Sequence, residues 1–175
     1  MADFLKAFTY LLGNEDPAGT GKVTKDNDGG DERFGLNSKS NPDLLHIGFY
    51  TLPLDQAIEM AKTIYKERYW APIWGDKIIS QRVASKFFDM AVNENPPQAI
   101  KLVQRATYRK AFGKEIDGKM GPDTLKTINA DDELELLHAM RDWTNWFVTQ
   151  VLNAHPEYAK YEKGWRIRAQ KLPEV

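Results

Sequence analysis

The sequence of 175 residues contains no cysteine, which excludes disulfide bonds and thiolate chemistry. Its formal net charge is only −1, so no overall attraction favours nucleic acid, and no nucleic-acid partner is expected. A run of roughly 20 apolar residues, which a membrane-spanning helix requires, is also absent. The N-terminal residues carry no signal-like pattern, and we therefore expect a protein that is made in the cytoplasm.

Histidine is scarce, and the sequence lacks the pairs that a catalytic zinc ion requires. The three histidines, His46, His138 and His155, show no spacing of four residues. No G-x-S-x-G pattern occurs either, so a serine nucleophile on a sharp strand–helix turn is not indicated. The sequence therefore disfavours zinc hydrolases and Ser–His–Asp enzymes, and neither a metal nor another cofactor is expected.

Aromatic residues and helical periodicity are plentiful, with five Trp, seven Tyr and eight Phe. Residues 14–50 lack such periodicity, and because long structureless loops are unusual in compact domains, we predict a small hairpin at 31–37. Pro122 is well placed to begin a short helix. The predicted fold is mainly α, with a small β-hairpin or loop region after the first helix. The segments whose apolar residues recur at helical spacing are 3–13, 51–70, 78–93, 96–112 and 132–154.

The stretch 11–35 is acidic and rich in glycine, with six Asp or Glu and six Gly. A phosphate loop is not indicated, because Asp16 stands where that motif needs its first glycine and Val23 follows the lysine. An EF-hand fails as well, since Thr24 and Gly35 occupy its first and last ligand positions, which need acidic side chains. A surface calcium site of another kind stays an alternative, because loop carboxylates are hard oxygen ligands.

Paired carboxylates are the remaining chemistry of this stretch. Glu15 follows a helix whose apolar face would desolvate its carboxyl group, raise its pKa and keep it protonated as a general acid. Glycoside hydrolysis needs such an acid and a second acidic group across the cleft. Asp26, Asp28, Asp31 and Glu32 lie on a segment that could supply this group. The alternative is that all of them are solvated loop charges and that Glu15 merely lies near a helix end.

Five motifs follow one another along the chain in the order typical of one family. They are a helix ending at Glu15 with the loop NDGGDERFGL (27–36), TLPLDQAIEMAKTIYKERYW (51–70), FFDMAVNENPPQAIKLVQRA (87–106), IDGKMGPDTLKTI (116–128) and YEKGWRIRAQKL (161–172). In these motifs the sequence resembles glycoside hydrolase family 108, the phage-type N-acetylmuramidases. Its last part is similar to the peptidoglycan-binding segment of that family, and the resemblance covers nearly the whole chain.

The resemblance implies a lysozyme-like helical fold and a muramidase with Glu15 as its catalytic acid. The substrate would be the β-1,4 bond between N-acetylmuramic acid and N-acetylglucosamine in the glycan strands of peptidoglycan. Residues 1–94 would form the catalytic part, and residues 95–175 a peptidoglycan-binding-like part packed with it as one unit. The protein is expected to be a monomeric endolysin that acts on the cell wall after release.

The second catalytic group is the point where the sequence departs from the family. The family's aspartate aligns with Asn27, and an amide cannot act as a base or stabilise a cation by charge. Asp28 and Asp26 flank this position, and Glu32 is a third candidate. Because the loop is changed, the alternative function is a non-catalytic peptidoglycan- or protein-binding module on the same fold.

The resemblance also indicates residues that contact the substrate. Tyr69 and Trp70 could offer an apolar platform for sugar faces, with a core position as the alternative for Trp70. Asn93 could bond the loop or a sugar amide, or it could have a structural role at a helix end. The substrate-binding candidates are Tyr69, Trp70, Asn93 and Gln104.

The C-terminal segment 160–171 is basic and aromatic, with five Lys or Arg and one Glu. Such a segment can make weak contact with anionic envelope surfaces by charge attraction. The alternative is an ordinary solvated terminus with Trp165 placed against the core.

Overall fold

The computed structural model describes residues 1–16, 19–25, 29–110 and 114–174. In these ranges, eight α-helices and a small antiparallel sheet of three strands surround one hydrophobic core. The strands β1–β3 span Thr24–Lys25, Asp31–Arg33 and Leu36–Asn37. The helices α1–α8 span Phe4–Glu15, Asp43–His46, Leu54–Tyr65, Gln81–Glu94, Pro96–Thr107, Pro122–Ala130, Glu133–Ala154 and Glu162–Gln170. The predicted mainly α fold with a hairpin after the first helix is thus confirmed.

Helix α1 begins at a carboxylate cap and carries Glu15 at its end. The side chain of Asp3 accepts hydrogen bonds from the backbone N–H groups of Leu5 and Lys6, which have no partner within the helix. The apolar pattern predicted an end near Gly13, but the helix continues to Glu15. Its buried face consists of Phe4, Ala7, Phe8 and Leu11.

The sheet lies directly beyond α1, and its β2–β3 hairpin is the one predicted from DERFGLN. Phe34 and Gly35 form the two-residue turn, with φ angles of 54° and 81°. Positive φ at both central residues is typical of the tight turns that match strand twist. Arg33 is buried below the hairpin and anchors it to the rest of the chain. Its guanidinium group donates to the backbone carbonyls of Gly21, Phe49 and Leu52.

Helix α3 ends in a π-helical turn, Lys66–Trp70. The N–H of Ala71 donates to the carbonyl oxygen of Lys66, five residues earlier, at 2.8 Å. This wide turn places Trp70 in the core, where it is fully buried, and leaves Tyr69 partly exposed. π-Helical turns are rare in proteins, and those that occur often lie at functional sites.

Helix α3 begins at Leu54, later than the start at residue 51 that the apolar pattern predicted. Pro53 is its N-cap residue. The hydroxyl group of Thr51 donates to the carbonyl oxygen of Gly48, and Leu54 is 50% exposed.

Helix α4 is the centre of the molecule and packs against α1, α5 and α7. One hydrophobic core contains Phe4 and Phe88 from the first part of the chain and Leu136 and Met140 from α7. The two predicted parts therefore share a core, while the boundary between them stays a prediction. None of the helices in the described ranges combines the length and apolar character needed to cross a membrane.

Gly75 provides a test of how tightly this core is packed. A Cβ atom at this position would lie 2.3 Å from ring atoms of Trp70. We expect Gly75→Ala to lower the free energy of unfolding by about 1–3 kcal/mol, as overpacked cores do. The control is Gly164→Ala in α8, where no atom lies within 4 Å of the new Cβ and a gain of about 0.5–1 kcal/mol is expected. Urea unfolding measures the free energy of unfolding of both variants. Equal values would contradict the close packing of Gly75 against Trp70.

Candidate active site

The carboxyl group of Glu15 lies between the C-terminal helix α8 and the hairpin turn. Its side chain is 15% exposed, and Oε1 lies 2.5 Å from Nη2 of Arg168 on α8. On the other side, Gly35 approaches so closely that a Cβ there would lie 2.6 Å from Oε2. The end of α1, the turn and α8 thus enclose one carboxyl group.

Arg168 bridges Glu15 to a second carboxylate, Asp89 on α4. Its Nε and Nη2 atoms lie 3.1 and 2.8 Å from Oδ1 of Asp89 and donate to it. The side chain of Asp89 is only 3% exposed, and Asn14 also donates to Oδ1, at 3.1 Å. Since a buried carboxylate needs charge-assisted partners, Asp89 fixes the position of the guanidinium group.

Helix α8 is held in place by Lys86, a buried lysine of α4. Its ammonium group donates to the backbone carbonyls of Arg168, Ala169 and Lys171 at 3.3, 3.0 and 2.9 Å. Carbonyls at the end of a helix have no partner within the helix, so this lysine satisfies them and fixes the helix end. Sequence reasoning assigned no role to Lys86, Asp89 or Arg168, although Asp89 lies in the motif at 87–106 and Arg168 in the motif at 161–172.

Burial is the largest influence on Glu15, and it raises the pKa of this carboxyl group above its ordinary value. Arg168 opposes the increase through its charge and hydrogen bond, while the negative charge of Asp89 adds to it. The net effect is a raised pKa, because desolvation of the charged form outweighs the ion pair. Glu15 therefore keeps its proton to higher pH than a solvated glutamate, as a general acid requires.

Of the candidates for the second catalytic group, only Glu32 lies among the described residues. Asp26 and Asp28 lie outside the described residues. Glu32 lies partly buried on β2, next to the turn that faces Glu15. The pKa of Tyr65 is raised chiefly by burial, and the charges of Glu15 and Glu32 both add to the increase. The charges of both glutamates therefore act on the same tyrosine.

Tyr69 and Asn93 line one cavity of about 430 Å³ together with Trp165. The pKa of Tyr69 is raised chiefly by burial, with a further contribution from the charge of Glu15. The structure thus brings these two candidates together on the Glu15 side of the molecule.

Trp70 and Gln104 have structural positions instead. Trp70 is fully buried, its indole N–H donates to Asp76 at 2.8 Å, and its ring offers no surface to a sugar. Gln104 is 2% exposed and holds the turn around Gly118, whose N–H donates to its side-chain oxygen at 3.0 Å. The substrate-binding role predicted for both residues does not fit their burial.

Several basic residues of the C-terminal segment have partners within the chain. Arg166 pairs with Glu162, and the ammonium group of Lys171 donates to Asn14 at 2.8 Å. Trp165 is partly buried and stacks on Tyr161. Contact of this segment with anionic envelope surfaces stays a prediction.

Glu94 is a further buried carboxyl group that sequence reasoning missed. It ends α4 and is 9% exposed. Burial raises its pKa to about 8, Asp89 adds to the increase, and Lys86 and Arg168 lower it. Glu94 is therefore protonated at neutral pH.

The arrangement has a counterpart among solved structures. The structure of Brucella abortus SagA is similar, with a TM-score of 0.65 and 19% sequence identity over 95% of this chain and 92% of that chain. No curated protein sequence matches this chain. The helical frame that this chain shares with SagA defines the class of fold, which is mainly α and lysozyme-like.

Within this class the family is identified by two regions of the chain. Residues 12–94 match the model of glycosyl hydrolase family 108, which confirms the resemblance seen in the sequence. Residues 98–170 match a model described as a predicted peptidoglycan domain. The protein is therefore a glycoside hydrolase that degrades peptidoglycan.

Gly35→Ala tests the enclosure of Glu15. The new Cβ would meet the carboxyl group, so we expect the release of reducing ends from peptidoglycan to fall at least tenfold. Gly29→Ala is a matched control, because both glycines have a φ of 81° but the nearest atom to a Cβ at Gly29 lies 4.0 Å away. The strain of a positive φ, about 1 kcal/mol, is thus common to both variants. Equal activity of the two variants would show that the turn does not position Glu15.

Glu94→Gln tests the buried proton. The folded state keeps it up to about pH 8 and the unfolded state releases it near 4.5, so the stability contributed by this group falls as pH rises between these values. Relative to Glu94→Gln, the free energy of unfolding of the wild type should fall by at most roughly 1.4 kcal/mol for each unit of increasing pH. Urea unfolding at several pH values measures the difference, and a constant difference would contradict a raised pKa.

Proposed function

We propose that the protein is an N-acetylmuramidase in which Glu15 is the general acid. It hydrolyses the β-1,4 bond between N-acetylmuramic acid and N-acetylglucosamine. The observation that carries the proposal is the enclosure of Glu15 beside the turn of the hairpin, where burial raises the pKa of its carboxyl group. The family of residues 12–94 supports this assignment.

In the first step, Glu15 transfers its proton to the glycosidic oxygen while the bond to the anomeric carbon breaks. The leaving sugar departs with a hydroxyl group, and the other sugar becomes oxocarbenium-like. Glu15 then carries a negative charge that burial disfavours. Arg168, 2.5 Å from Oε1, stabilises this carboxylate, so the site accommodates both protonation states of the acid.

Asp89 keeps the two roles of Arg168 in balance. Because the guanidinium group also donates to Asp89, its positive charge is partly neutralised before it acts on Glu15. Arg168 acts to lower the pKa of Glu15, but desolvation by burial is the larger influence and the charge of Asp89 adds to it. The net result is the raised pKa that proton donation needs.

The second catalytic group in this proposal is Asp28 or Asp26, which would position water or stabilise the developing cation. Glu32 is the third candidate, and its charge acts on the same tyrosine as that of Glu15. A carboxyl separation near 5 Å corresponds to retention of configuration and one of about 6.5–9.5 Å to inversion. The anomer formed first, observed by NMR, identifies which arrangement the enzyme uses.

Tyr69 and Asn93 contact the glycan strand in this proposal, since both line the cavity near Glu15. The finer expectations of the resemblance belong to it as well. They are a phage-type, bacteriolytic endolysin that acts as a monomer on the cell wall after release, with the basic segment 160–171 in weak contact with anionic surfaces.

Glu15→Gln is the decisive variant, since the amide keeps the volume of the side chain but has no acidic proton. We expect the clearing of permeabilised cells and the release of reducing ends to fall by about 10²–10⁴-fold, the usual contribution of a general acid. Glu59→Gln, an exposed change of the same chemistry on α3, is the control and should keep full activity. A fully active Glu15→Gln would refute the assignment, and an inert wild type that binds sacculi would establish the binding module.

Parallel variants identify the second group. Asp26→Asn, Asp28→Asn and Glu32→Gln are compared singly and combined. We expect one of them to account for most of the loss seen in the triple variant. A triple variant with wild-type activity would exclude a mechanism with two carboxyl groups.

A further inference from the structure

A cavity of about 430 Å³ is lined by Tyr69 and by residues of α4, α7 and α8. Trp165 lines it from α8, one helical turn before Arg168, which pairs with Glu15. Residues three apart lie on the same side of a helix. Tyr69, which also lines the cavity, has its pKa raised in part by the charge of Glu15. The cavity is therefore a neighbour of the proposed acid.

The walls of this cavity differ in character. Phe147, Val148 and Val151 of α7 form an apolar wall, and Tyr69 and Trp165 contribute aromatic rings. Aromatic rings offer apolar faces with a polar edge, which suits a ligand that has both C–H faces and polar groups. Asn93, Glu94 and Asn95 lie at the polar end, where α4 meets α5. This combination of an apolar wall and a few polar groups is typical of a small-molecule site.

Glu94 is the unusual member of the polar end. It is 9% exposed, and its Oε2 atom has no hydrogen-bond partner among the described residues. A buried polar atom without a partner is rare in folded proteins, because desolvation without a hydrogen bond is unfavourable. Oε2 is itself closed to solvent, but Glu94 lines the cavity, so a rotation of its carboxyl group lets a ligand in the cavity supply the missing partner.

The charge state of Glu94 narrows the chemistry of that ligand. The pKa of about 8 results from burial and the charge of Asp89, opposed by Lys86, Arg168 and the Asn93 side chain. At neutral pH the carboxyl group is thus neutral and can donate a hydrogen bond. The ligand should therefore present an uncharged hydrogen-bond acceptor to Glu94. An anionic ligand would lose its hydration beside the carboxyl groups of Glu94 and Asp89. A protonated amine would need Glu94 to be ionised.

We propose that this cavity binds the N-acetyl group of an amino sugar, with the carboxyl group of Glu94 donating a hydrogen bond to the acetamido oxygen. The methyl group packs against the apolar wall of α7, and the sugar ring lies against Trp165 and Tyr69. The proposal rests on the proposed function, since it places one N-acetylated sugar of the glycan strand beside the bond that Glu15 protonates. Glu94 is a substrate-binding residue here and takes no part in proton transfer.

The test measures binding in a Glu15→Gln background, so that turnover does not interfere. The probes are tri-N-acetylchitotriose, chitotriose with free amino groups, and an L-alanyl stem tripeptide, each titrated by calorimetry and by NMR of the Trp165 indole. We expect the acetylated sugar alone to bind and to shift the Trp165 signal. Glu94→Leu should weaken this binding about tenfold, as expected for one lost hydrogen bond. Glu94→Gln keeps a donor and should bind within about threefold of the parent.

A second variant tests the cavity from its opposite wall, so the result does not depend on the fold tolerating Glu94→Leu. Val151→Trp on α7 would fill the space and should abolish the Trp165 shift with a thermal unfolding midpoint near that of the parent. Equal binding of both sugars, binding of the tripeptide alone, or full affinity in Glu94→Leu and Val151→Trp would overturn the proposal. Activity of Glu15→Gln on sacculi would instead overturn the proposed function and leave this binding result standing.

Discussion

The pairing of Arg168 with two buried carboxyl groups is the interaction on which the rest of the structure depends. Glu15 and Asp89 are brought together by the packing of α1 against α4. Carboxyl groups that are taken out of water need charged or hydrogen-bonding partners. Arg168 supplies such a partner from α8, and Lys86 fixes the helix end that carries it. Removal of one partner from a buried pair typically destabilises a protein by about 3–5 kcal/mol.

The same cluster is compatible with the role of a general acid that we propose for the buried Glu15. Desolvation alone would hold the proton of Glu15 so firmly that its transfer would leave an unstable anion. A fully available arginine would remove the proton before the substrate arrived. Sharing Arg168 between Glu15 and Asp89 gives an intermediate balance, and the direction of the net shift shows that desolvation is the larger effect.

Much of the fold could be predicted because its signals are local. The hairpin at 31–37 was predicted because a long structureless loop is unusual in a compact domain, and Pro122 begins α6 as expected. The apolar pattern predicts too early an end for α1, because its last apolar residues come before Glu15. The contacts of Glu15 with Arg168 and with the hairpin turn leave no periodic signal in the sequence.

The candidate site was less predictable, because its chemistry depends on residues far apart in sequence. A charge count described segment 160–171 as a basic tail, and no periodicity indicates that Arg168 reaches Glu15 or that Lys86 caps α8. Trp70 shows a related limit of prediction from sequence. An aromatic residue in a motif looks the same in the sequence whether it lies in the core or on a binding surface. Only the π-helical turn decides that Tyr69 faces outward and Trp70 inward.

Arg168 also has a consequence for how the two matched regions can evolve. Glu15 lies in the hydrolase region, 12–94, and Arg168 in the region matched to a peptidoglycan domain, 98–170. The second region is thus more than an accessory that brings an enzyme to its polymer. Recombination that exchanged it for an unrelated binding module would remove the counter-ion of the acid. The two regions are therefore expected to be inherited and to diversify as one unit.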